Sequence, residues 1–138
     1  MLASALVQPA TPAAASPAST MVRDLNSIRL SHGLEPLRRS PSLHQSSSHY
    51  ARRLMRRDYF GHQSRIAVAG RFEWAGENLE LHWGWDPEPR PTVERWMASP
   101  EHRAVILSRE WRWIGVGRSR GRFDSSTATI WVAHFGRI

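Results

Sequence analysis

Apolar positions recur with a helical period twice in the first half of the chain, and with a strand period twice in the last quarter. In MVRDLNSIRLSHG, residues 21–33, Val22, Leu25 and Ile28 share one face of a helix starting near Thr20, and Gly33 supplies its stop. In SPSLHQSSSHYARRLMRRDYFG, residues 40–61, Ser40 and Pro41 read as a cap and first helical position, and Leu43, Ser47, Tyr50 and Leu54 form the inward stripe. That helix ends near Asp58. PTVERWMA, residues 91–98, sets Val93, Trp96 and Met97 at i, i+3, i+4 spacing. Ser99 then serves as the N-cap of a further helix, with Pro100 at its first position and Glu101 beside the positive end of its dipole. RWIGVGR (112–118) and TATIWVAHF (127–135) read as two strands of a hairpin, joined through the turn-rich SRGRFDSS. Residues 58–90 show no helical period and read as one long irregular stretch, where loop-borne function is expected. Helices followed by strands predict an α+β domain with helices on a small antiparallel sheet.

Composition refines this. At 138 residues the chain suits one domain, and its lack of cysteine excludes a disulfide framework and thiolate metal ligands. The first twenty residues, MLASALVQPATPAAASPAST, are poor in charge and rich in Ala, Pro, Ser and Thr. They read as a disordered leader or the remnant of an export signal, leaving residues 21–138 as the domain. No stretch approaches the ~20 apolar residues of a membrane span. The net charge is +7, and every basic residue is arginine, whose fork suits phosphates and anionic polymers. The arginines are spread without a nucleic-acid-binding motif, so specific nucleic-acid binding is not expected. Arg52, Arg53, Arg56 and Arg57 fall mostly off the apolar stripe of the second helix, as a solvated face or an anion-binding ridge.

The candidate chemistry lies in three segments. His102 falls in the first turn after Ser99, where the helix dipole favours a neutral imidazole able to accept a proton or ligate a metal. YFGHQS carries His62 in a loop, and AGENLE carries Glu77 between Gly76 and Asn78. Small or turn-forming neighbours let each of the three side chains point into a cleft. His32, His44, His49, His82 and His134 are the other histidines, and no spacing alone singles out a trio among the seven.

A set of strings in order does so: N-x-x-R at Asn26 to Arg29, HGLEPL at 32–37, YFGHQS at 59–64, GENL at 76–79, RWMASPEHRAVIL at 95–107, IGVG at 114–117 and WVAHFG at 131–136. Over residues 21–138 the chain closely resembles the bacterial branch of the CAP superfamily of SCP-like extracellular domains. The resemblance implies a three-layer α-β-α sandwich, export to the cell envelope or medium, and a cleft with two histidines and two acidic residues. His62, Glu77 and His102 match three of the four. For the fourth, Ser99 stands at the usual position, and Glu94 is preferred over Glu101 as a substitute. The sequence departs from bacterial relatives at Val105, where Asn is common, and at Ala133, where Gln is common.

Two imidazoles and a carboxylate suit a divalent ion, zinc above all, with a position open for water or a ligand. Without an H-E-x-x-H helix or a nucleophile motif, the sequence favours a non-enzymatic, monomeric binding module taking a metal, a small ligand or lipid, or an anionic envelope polymer, with no organic cofactor. Asn78 and Ser99 are expected to support the ligands, Asn78 by orienting Glu77. One alternative is a metal-assisted hydrolase of peptide or cell-wall material, with Glu77 catalytic. Another is a sterol or lipid carrier, with Trp74, Trp83, Trp85 and Leu81 lining an apolar groove, although core packing is the simpler use of those rings. Trp96 and Trp131 are expected in the core, and the IGVG glycines at a close helix approach.

Overall fold

The computed structural model describes residues 6–7, 9–10, 14–66, 72–85 and 88–138. Residues 1–5, 8 and 11–13 of the expected leader lie outside them, and its last four residues belong to the first helix. Four helices and four strands follow in the order α1 (Pro17–Ser31), β1 (Arg38–Arg39), α2 (Pro41–Arg57), β2 (Trp74–Trp83), α3 (Arg90–Ala98), α4 (Pro100–Ile106), β3 (Trp113–Phe123) and β4 (Ser126–Arg137). Helix α1 begins at Pro17, three residues before the point read from the sequence, because the Ser16 hydroxyl accepts the Ser19 amide and Pro17 fills the first position. Ser40 caps α2 in the same way, and Asp58 closes that helix in the left-handed region. Ser99 does not act as a side-chain cap; its hydroxyl turns to His102 instead.

Strands lie in the order β1-β3-β4-β2. The sheet is mixed rather than purely antiparallel, since β1 runs parallel to β3 while β3, β4 and β2 pair antiparallel. Strand β2 corrects the reading of residues 58–90 as irregular throughout. Its sequence WAGENLELHW alternates, but Gly, Asn and Glu are poor strand formers, and a carboxylate occupies an inward position. Pairing along the whole of β4 overrides that local weakness.

Side chains on alternate strand positions serve two cores. One contains Met21, Val22, Leu25, Val93, Trp96, Ile106, Ile114, Trp131 and Phe135, and joins the sheet to α1, α3 and α4. The other contains Tyr50, Ala51, Leu54, Met55, Leu79, Ile130 and Val132, and joins the opposite face to α2. This is the α-β-α sandwich, and Trp96 and Trp131 are fully buried in it. Helix α2 rests directly on β3. A Cβ on Gly115 would stand 2.0 Å from the His44 amide nitrogen, and one on Gly117 2.3 Å from that of Ser48.

The N-x-x-R string is a clamp. Asn26 exchanges hydrogen bonds with the Leu37 main chain through both ends of its amide. Arg29, 1% exposed, donates to the carbonyls of Glu35, Ile106 and Ser108 at 2.7–2.9 Å, tying α1 to the end of α4.

Candidate functional site

Glu77 is the centre of a polar cluster beneath α2. Its odd position on β2 faces the α2 side of the sheet, opposite His134 on β4. The carboxylate is nearly all buried and fully engaged. His134 Nε2 donates to Oε2 at 2.8 Å, Gln63 Nε2 to the same oxygen at 3.0 Å, and His62 Nδ1 to Oε1 at 2.9 Å. Burial alone would raise the Glu77 pKa; hydrogen bonds from His134, Gln63 and His62 and the His134 charge outweigh it, holding the group below the usual carboxylate range. His134, with no exposed surface, stacks beside Tyr50 and shares a hydrogen bond between its Nδ1 and the Ser46 hydroxyl, 2.7 Å away.

His62 is the outlet of this cluster. With Nδ1–H given to Glu77, its Nε2 keeps a lone pair, and the side chain is 62% exposed. The loop that carries it is pinned to α2 by the Tyr50 hydroxyl, which donates to the Gly61 carbonyl. Burial first, and the neighbouring Glu77 and Tyr59 charges after it, push the Tyr50 pKa up to about 12, so the phenol keeps its proton. Between α2 and this loop lies a cavity of about 440 Å³ bordered by His62, Tyr59, Leu54, Arg53, Arg57 and Arg65. Chemically, the arrangement is a buried carboxylate that fixes one imidazole, whose free nitrogen can meet a ligand, accept a proton or bind a metal.

Other residues expected at the site are placed differently. His102 lies in the α3–α4 layer, stacked on Trp96, with Nδ1 2.8 Å from the Ser99 hydroxyl. Asn78 points to that layer too, and its amide donates to the His102 carbonyl at 3.1 Å, so it ties β2 to α4 rather than orienting Glu77. Adjacent positions on a strand face opposite sides, which separates Asn78 and His102 from Glu77 and His62. Glu94 is exposed on α3 and pairs with Arg90 at 3.3 Å. Among the described residues no three His, Cys, Asp or Glu groups stand where they could share a metal ion. The set His62, Glu77 and His102 therefore does not form one cage as these side chains stand.

His134, Gln63 and Ser46 are the members that sequence reasoning missed. The signal for His134 was its polar ring in TATIWVAHF at a position that alternation assigns to the core with Ile130 and Val132. The tryptophans of the middle stretch are neither in the core nor around one groove. Trp74, Trp83 and Trp85 are 60–65% exposed, Trp74 lies at the far end of β2 from Trp83, and the last two rings rest against Phe123 and Arg120.

The family model of the cysteine-rich secretory protein family, CAP, matches residues 22–135. Among solved structures, an outer surface protein of Borrelia burgdorferi is similar at TM-score 0.69 and 19% identity, over 86% of this chain and 90% of that one. An extracellular SCP-domain protein of Bacillus anthracis gives 0.72 and 20%, over 88% of this chain and 40% of that longer one. Venom allergen-like protein 4 of Schistosoma mansoni gives 0.63 and 13%, over 85% and 83%. At these identities the likeness establishes the fold alone. No curated protein matches the sequence. No helix among the described residues is long and apolar enough to cross a membrane.

Proposed function

The chain belongs to the cysteine-rich secretory protein, or CAP, family, and on that premise we propose that it is an exported binding module holding a small ligand at His62. The observation that carries this reading is the state of Glu77. Both of its oxygens accept hydrogen bonds from neighbouring side chains, so the carboxylate acts as a holder that aims His62 into the cavity. His62, Gln63 and His134 take three of the roughly four acceptor sites of the carboxylate, and among the described residues no three His, Cys, Asp or Glu groups stand where they could share a metal ion. The proposal therefore routes no step through a metal. Export is supported by the apolar, alanine-rich N-terminal segment and by extracellular or outer-surface proteins among the structural relatives.

Ligand-observed and backbone amide NMR against a panel of small polar and apolar compounds tests the reading. The expected result is a saturable shift confined to Tyr50, Tyr59, His62 and Gln63 and removed by His62→Ala. Two results would overturn it. One is peptide or glycan hydrolysis that vanishes in a folded Glu77→Gln variant. The other is micromolar zinc binding by calorimetry that is lost in the His62→Ala/His102→Ala double variant.

A further inference from the structure

We propose that the His62 cavity selects ligands carrying phosphate esters, with Arg53, Arg57 and Arg65 as the anion-holding residues. This rests on the binding reading of the same site and names the chemistry of its ligand.

Three observations support it. Arg53 and Arg57 are four residues apart on α2, so they share a face, and Arg65 reaches the same cavity from the loop. Like charges at that spacing disfavour a helix, and no acidic side chain among the described residues pairs with any of the three. A carboxylate would be the ordinary remedy, and among the described residues none borders the cavity. Glu77 is buried behind His62 with its oxygens engaged, and Asp58, next to Arg57 in the chain, accepts the Asp124 amide. An anion from solution would therefore meet three guanidinium forks, and arginine is the side chain best matched to phosphate oxygens.

Second, the space exceeds what a bare anion fills. At ~30 Å³ for each water-sized group, about 440 Å³ takes roughly fifteen such groups, so the phosphate comes attached to a body of sugar or polyol size. Leu54 and the Tyr59 ring, itself 56% exposed, supply apolar wall for that body, and Ser64 and Gln63 supply hydroxyl and amide donors.

Third, the cavity continues. A second hollow of about 360 Å³ shares Tyr50, Arg53 and Gln63 with the first and runs along α2 past Arg52 and His49. From His49 to Arg57 the helix rises ~12 Å at 1.5 Å per residue. The track thus admits more than one phosphate, whether the ester is a small molecule or a unit of a polymer.

Calorimetry on the intact chain at low salt tests the assignment with four probes: inorganic phosphate, glycerol 3-phosphate, poly(glycerol phosphate) and a single-stranded oligodeoxynucleotide. Glycerol 3-phosphate is expected to bind more tightly than inorganic phosphate. Tighter binding of poly(glycerol phosphate), counted per phosphate, would identify the polymer as the source, and equal binding per phosphate would identify the small ester. Arg53→Gln/Arg57→Gln and Arg65→Gln should each weaken binding at least tenfold. Arg103→Gln/Arg109→Gln, which removes the same charge as the α2 pair but from the α4 side, should change it less than twofold. Equal losses in both double variants would reduce the effect to net charge and overturn the proposal. An oligonucleotide bound tenfold more tightly than poly(glycerol phosphate) of equal charge would also overturn it, since bases would then carry the recognition. Shifts at His62 with uncharged glycerol or glucose, and none with phosphate esters, would sink the phosphate assignment while leaving the binding module intact. No shift at His62 with any probe would remove both.

Discussion

Glu77 and Arg29 show how a single polar side chain governs this fold from the inside. Glu77 has a folded-state pKa below its unfolded value, so its stabilisation is fully present above the ordinary carboxylate pKa and is lost as pH falls through the lower folded value. Glu77→Gln places an amide among three N–H donors and is expected to cost about 2–3 kcal/mol at pH 7. Urea melts of both proteins from pH 7 to pH 3 check this, and the two curves should converge at the acid end. Arg29 satisfies three carbonyls with one guanidinium. Arg29→Met should destabilise by at least about 3 kcal/mol, and Arg29→Lys by less, because an ammonium reaches fewer of the three. At this scale the sequence was half legible. His62 and Glu77 were found from the strings around them and do meet, whereas His102 was found the same way and sits across the sheet. A motif reports which residues a fold keeps, and strand alternation decides which of them share a face.

Among the elements, α2 and its seat on β3 are the most constrained. The apolar stripe of α2 was read directly from its period, and Leu43, Ser47, Tyr50 and Leu54 are all buried. What no periodicity conveys is how closely the helix backbone approaches. Gly115→Ala and Gly117→Ala each push a methyl into α2 main chain that cannot rotate away, and each should cost about 3 kcal/mol or prevent folding. Gly121→Ala meets only the Met55 side chain at 3.2 Å and should cost under about 1 kcal/mol. Guanidinium chloride midpoints of the three variants check the order. Strand β2 was invisible for a different reason. Ten residues that include Gly, Asn and two Glu carry little strand propensity, and their conformation comes from a partner 45 to 63 positions away.

Across the molecule, the arrangement divides the seven tryptophans. Trp96 and Trp131 are fully buried on the α1, α3 and α4 side, while Trp74, Trp83 and Trp85 stand in water. Iodide or acrylamide should quench a large exposed fraction of the fluorescence and leave a protected blue-shifted remainder in the native protein. In denaturant that remainder should disappear. A fully protected spectrum would mean that the three exposed rings are covered in solution. An α+β domain with helices ahead of a closing hairpin was legible because amphipathic periods and turn residues are local, while the three-layer sandwich was expected only from the family resemblance. The mixed sheet was not, because β1 is only two residues long and earns its parallel place through the Arg112 and Ile114 carbonyls.

The Arg29 clamp also imposes an order in time. Two of its acceptors lie 77 and 79 residues further along the chain, so while the protein is being made the first helix waits, its guanidinium still in water, until the segment after α4 has emerged. Only then can α1 lock down, and the two middle strands of the sheet, β3 and β4, have still to follow, which keeps the nascent chain pliable for most of its synthesis.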